Sequence, residues 1–97
     1  MRTKAVLERL IAQKEELEKT NPTAKFYERR DDSFLPIKPE DVNTSGYWKL
    51  AHRMVKSGEK PTAYVVSASS QKARWSGGGM LYTRFIPAYH ISQTEEL

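Results

Sequence analysis

The sequence predicts an α+β fold: an N-terminal helix, a second short helix, and a small antiparallel sheet built around a C-terminal β-hairpin with a Gly-rich loop. Three observations predict it. The apolar residues of MRTKAVLERLIAQKEELEKT recur at helical spacing. Two later stretches, PTAYVVSAS (61–69) and MLYTRFIPAYHI (80–91), are rich in β-branched and aromatic side chains. Gly77, Gly78 and Gly79 stand between those stretches as the connection of a hairpin.

The first helix runs from Thr3 to Lys19, because Val6, Leu7, Leu10, Ile11 and Leu17 fall on one face, with Lys14 as the only break in the stripe. Thr20-Asn21-Pro22 ends it, since the residue before proline is pushed out of helical geometry and proline donates no hydrogen bond to the preceding turn. Residues 21–44 are the least regular part. AKFYERR suits a short strand, but RDDSFLPIKPEDVNTS has two prolines and several turn formers and reads mostly as loop. A second helix is expected from Thr44 or Ser45, either of which can cap it, through GYWKLAHRMVKS to Gly58. On it Tyr47, Leu50, Ala51, Met54 and Val55 gather on one side, and Lys49, Arg53 and Lys56 on another. The two strands follow, and Pro87 inside the second places that part at a sheet edge or a bulge.

Length and composition bound the function. At 97 residues the chain is one small domain, divided into helix 1 (1–20), an irregular part (21–44) and a basic, aromatic module (45–96). Cysteine is absent, which excludes disulfides, thiolate metal sites and a thiol nucleophile, and fits a reducing cytoplasm. The charged N-terminus resembles neither a signal peptide nor a membrane span, so the expected location is cytoplasmic, with no membrane partner. Residues 1–44 hold nine Lys/Arg against nine Asp/Glu, whereas residues 45–97 hold seven against three, so the whole net charge of +4 lies in the second half. Seven of the ten aromatic residues lie there too, and cations interleaved with flat rings compose a single-strand binding surface. The competing reading is an ordinary aromatic core beneath a solvated basic surface.

Motifs for other chemistries are missing. His52 and His90 stand alone, with no zinc-type spacing, and the glycine run lacks the GK[ST] of a P-loop. No metal or other cofactor is expected. Ser67, Ser69, Ser70 and Ser76 have no evident base, and the carboxylate pairs Asp31-Asp32 and Glu40-Asp41 suit turns better than acid–base catalysis. One enzymatic alternative remains, a small metal-independent ribonuclease using His90 or Tyr89 as acid–base group and Arg84 or Arg74 for the transition state.

The basic stripe makes the stronger case. Lys49, Arg53 and Lys56, followed by Lys60, align three or four cations for successive phosphates, and no acid falls between Asp41 and Glu59 to neutralise them. Lys72, Arg74 and Arg84 flank the glycine loop, and Trp75, in a polar and glycine-flanked setting, is the stacking platform. Trp48, among apolar neighbours, suits a core anchor better than a platform. The candidate nucleic-acid contacts are therefore Lys49, Arg53, Lys56, Lys60, Lys72, Arg74, Trp75 and Arg84.

The stretch WKLAHRMVKSGEK (48–60) and the stretch FIPAYHISQTEEL (85–97) together resemble the N-terminal single-stranded-DNA-binding domain of ArdC-type antirestriction proteins. The matching residues are Trp48, Arg53, Val55, Lys56, Gly58, Glu59 and Lys60, then Phe85, Ile91, Ser92, Gln93, Thr94 and Glu95, and they frame residues 46–96. His52, His90 and Glu96 depart from the pattern, and the metallopeptidase-like domain of larger members is missing. The resemblance implies a non-catalytic, non-specific DNA-binding module from a phage, plasmid or related mobile element. The alternative partner is a host nuclease or defence enzyme, inhibited through the same surface. Helix 1 leaves two roles open, core element or seam of a homodimer.

Overall fold

The computed structural model describes residues 4–30, 34–72 and 79–97, with backbone alone at 68–72 and 79–82. Its elements are helix α1 (Lys4–Thr20), strands β1 (Lys25–Tyr27) and β2 (Val42–Asn43), helix α2 (Ser45–Leu50), and strands β3 (Arg53–Val55), β4 (Ala63–Lys72) and β5 (Gly79–His90). A 3-10 turn (Ile91–Gln93) and strand β6 (Thr94–Glu96) follow. The class is α+β, as the periodicities predict.

The main sheet has the order β1-β4-β5-β2, and β3 pairs with β6 in a separate two-stranded ribbon. The expected hairpin is β4 and β5, antiparallel from Ala63↔Ala88 to Lys72↔Gly79. Gly77 and Gly78 of the connection lie outside the described residues, and Gly79 opens β5. The sheet is mixed rather than purely antiparallel, because β1 runs parallel to β4 with Phe26 opposite Tyr64. Pro87 sits where β5 has β4 on one side, while β2 reaches only Tyr89 and His90 on the other. A residue with no N–H to donate is tolerated there because no ladder bond is asked of it on that edge.

Side chains of β4 alternate between the two sheet faces. Toward α1 point Tyr64 and Val66, which join Leu10, Phe26 and Phe85 in the larger core cluster, with Val6 and Leu17 packed against it. The rings interlock: Phe26 stacks on Tyr64 at 5.4 Å between centroids and meets Phe85 edge-on at 5.2 Å. Lys14, the break in the helical stripe, lays its ammonium 5.0 Å from the centre of the Phe26 ring and pairs with Glu18 at 2.8 Å, so the stripe is continued by a cation over an aromatic face. Ile11, counted on the apolar stripe, is instead 45% exposed. Gln13 ties helix to sheet by accepting from the Phe85 N–H at 2.9 Å and donating to its carbonyl at 3.3 Å, the way a neighbouring strand would. On the opposite sheet face, Val42, Ala63, Val65 and Ala88 form a smaller cluster with Tyr27 against it.

Helix 2 differs most from expectation. It begins as predicted, with the Thr44 hydroxyl accepting from the Tyr47 N–H, but ends at Leu50 instead of continuing toward Gly58. His52 adopts a left-handed φ of 60°, and residues 53–55 are extended against 94–96. A helical continuation would forfeit this ladder and the Arg53 contacts to Thr94, so pairing with a distant strand overrides the local periodicity. Gly58, with φ 83°, turns the chain toward β4 rather than stopping a helix. Among its described residues, the part of 21–44 read as loop also carries backbone pairing that was not expected. Glu28 donates its N–H to the Pro36 carbonyl and accepts from the Lys38 N–H, closing the excursion that begins at Arg29.

Candidate nucleic-acid interface

With the second helix cut short, Lys49, Arg53 and Lys56 no longer form one stripe. Lys49 stays exposed on α2. Arg53 is half-buried on β3, its Nε donating to the Thr94 hydroxyl at 2.6 Å and its Nη1 lying 3.6 Å from the exposed Glu96, so it is already partnered within the protein. Lys56 is exposed but donates to the Ser92 carbonyl at 3.3 Å. Lys60 is exposed. Arg84 is exposed on β5 opposite Ser67, on the sheet face away from α1. Arg74 and Trp75 lie outside the described residues, as does the side chain of Lys72. Lys49 and Arg53 do come together, with Met54, Val55 and Leu97, around a groove of about 410 Å³.

Trp48 is the core anchor the sequence favours, 5% exposed and donating its indole N–H to the Tyr89 carbonyl at 2.9 Å. That bond docks α2 on the end of β5. Its neighbour Tyr47 meets the Trp48 ring edge-on at 5.8 Å between centroids and is 53% exposed, so part of its ring is open to solvent.

A second hollow on the other side of α2 holds residues that sequence reasoning missed. Arg29, Lys38 and Tyr47, with Asn43, Thr44 and Val65, surround a cavity of about 160 Å³. The Lys38 ammonium stands 5.9 Å from the centre of the Tyr47 ring. The backbone staple between Glu28 and Lys38 makes this possible, since it sets Arg29 and Lys38 side by side at the two ends of one excursion. Asn43 is buried and holds the adjoining turn by donating to the Glu40 carbonyl at 2.9 Å. Among the described residues, Arg29, Lys38, Lys49 and Lys60 have no carboxylate partner. The charge count conceals Arg29 and Lys38, because they belong to a half of the chain that is neutral in sum. The one available signal was the pair of cations on either side of Pro36.

His90, the acid–base candidate of the ribonuclease reading, is held at both ring nitrogens. Nε2 lies 2.8 Å from Asp41 Oδ2, while Nδ1 accepts from the Ser92 N–H at 3.1 Å and lies 2.8 Å from the Ser92 hydroxyl. Its evident work is to cap the 3-10 turn, and acid–base use of Nδ1 would have to break that cap. Among the described residues no group of three or more His, Asp or Glu side chains is arranged to hold a metal ion. No helix among them is long and apolar enough to cross a membrane.

The two stretches that carry the family resemblance pack on each other, and Gln93 joins them. Its side-chain oxygen accepts from the Thr62 hydroxyl at 2.9 Å and the His90 N–H at 2.8 Å, its amide donates to the Lys60 carbonyl at 2.7 Å, and its own carbonyl accepts from the Lys56 N–H. Much of the shared pattern is thus explained by the architecture of one junction. Comparisons of the chain with protein-family models, with curated proteins and with solved structures give no match.

Proposed function

We propose that the protein binds single-stranded nucleic acid without catalysis, the strand lying across the sheet face away from α1 and past α2. The observation that carries this reading is the open Tyr47 ring between cations that lack carboxylate partners, Lys38 and Arg29 on one side and Lys49 on the other. Arg84 and Lys25 extend the basic character along the same sheet face. A ring accepts a base by stacking, and cations that hold no carboxylate neutralise phosphates without first breaking an ion pair. The resemblance to antirestriction DNA-binding domains favours DNA over RNA and a mobile-element origin. Fluorescence anisotropy with a labelled single strand and the matching duplex tests the proposal. The expected outcome is a clear single-strand preference, reduced by about 1–3 kcal/mol in Tyr47→Ala with thermal stability retained. Equal affinity of wild type and Tyr47→Ala would remove the ring from the site.

One observation favours a second reading, inhibition of a host nuclease or defence protein by direct docking. Leu50, Met54 and Leu97 are exposed large apolar residues, and the latter two border the groove that Lys49 and Arg53 share. Apolar groups beside arginine suit a protein interface. Under this reading, Met54→Asp abolishes capture of the host protein while strand binding is absent in wild type and variant alike.

A further inference from the structure

Resting on the single-strand reading, we infer that the hollow of Arg29, Lys38 and Tyr47 is a phosphomonoester site, which takes the terminal phosphate of a strand and not an internal one. The argument begins with charge. A phosphomonoester carries about −1.5 to −2 at neutral pH, whereas an internal phosphodiester carries a single charge. The side chains of Arg29 and Lys38, neither with a carboxylate partner among the described residues, both line this one small space. Asp41 of the adjoining turn is engaged elsewhere, with His90 at 2.8 Å. The donors suit phosphate as well. Arg29 offers a planar fork of N–H groups, Lys38 a point charge, and Thr44 a hydroxyl proton left over because its oxygen already accepts from the Tyr47 N–H.

Size points the same way. About 160 Å³ is well below the roughly 300 Å³ at which small-molecule pockets begin, so the hollow admits a phosphate with its first sugar atoms and no whole nucleotide. The nucleoside then falls outside, over the exposed Tyr47 ring. The arrangement is held in place from within. The Glu28 N–H to Pro36 and Lys38 N–H to Glu28 bonds, at 2.8 and 2.9 Å, fix the two cation-bearing positions, and buried Asn43 fixes the turn beneath them.

The test compares otherwise identical short DNA strands carrying a 5′-phosphate, a 3′-phosphate or no terminal phosphate, by anisotropy, for wild type, Arg29→Ala and Lys38→Ala. One phosphorylated end should bind wild type about tenfold more tightly than the unphosphorylated strand. That ratio should fall toward unity in both variants, whatever happens to their basal affinity. Equal binding of all three strands to wild type overturns the inference and leaves the single-strand reading intact. Thymidine 5′-monophosphate, thymidine 3′-monophosphate and thymidine, titrated while amide shifts are followed by NMR, separate the two claims. Shifts at Arg29, Lys38 and Tyr47 with a monophosphate but not with thymidine support the site even if no strand binds. The absence of such shifts with either monophosphate refutes it, as strand binding insensitive to its ends does.

Discussion

At the scale of single residues, the protein uses polar side chains to stand in for missing backbone partners. Gln93 does this at the junction of the two motif stretches, where it is 8% exposed and satisfies three groups from two separate segments, Lys60 and Thr62 on one side and His90 on the other. Replacing it with leucine leaves the His90 N–H and the Lys60 carbonyl without their partner. Each buried polar group so abandoned costs roughly 1–3 kcal/mol, so Gln93→Leu should lower stability by about 3 kcal/mol in urea unfolding. A loss under about 0.5 kcal/mol, the size of an ordinary surface change, would mean that the junction is open to water. Among the candidate site residues, the exposure of Lys49, Lys60 and Arg84 was legible from side-chain type alone, since Lys and Arg are rarely buried without a partner. Arg53 was not, because its partners Thr94 and Glu96 lie more than forty positions away, beyond any local pattern.

At the scale of elements, α1 shows how a pattern can be right in kind and off in phase. Its helical stripe was legible from spacing alone, yet the face that meets the sheet runs through Val6, Leu10 and Leu17, with Gln13 and Lys14 completing it. Leu10 is completely buried and Ile11 nearly half exposed. Leu10→Ala should therefore cost about 2–5 kcal/mol, and Ile11→Ala about 0.5 kcal/mol or less. Comparable losses for the two, measured by thermal or urea unfolding, would place the seam on the other side of the helix. The role of α1 is then that of a core element for the described chain. The second helix failed in the opposite way, its spacing continuing past the point where β6 claims the backbone as a partner.

For the whole molecule, the proposed interface rests on electrostatics. The net charge of +4 resides by count in the second half, but the fold draws Arg29 and Lys38 from the neutral half to the flank of α2 and withdraws Arg53. Single-strand binding releases counterions at about 0.7 per phosphate contacted. If the strand meets four to six of the exposed cations, log affinity against log salt should fall with a slope of about −3 to −4. A slope near −1 would mean that only one phosphate is neutralised, and the extended path across sheet and helix would be wrong.

Sequence alone determined the α+β class, the C-terminal limit of α1, the two long strands of the hairpin and the burial of Trp48, all of which follow from interactions within a few residues or from side-chain type. Tertiary structure decided the parallel pairing of β1, the early end of α2, and which cations remain open to a ligand. The reason is physical. Strand pairing and ion pairing are settled by partners remote along the chain, as Arg53 and Thr94 are, and a spacing rule sees only neighbours.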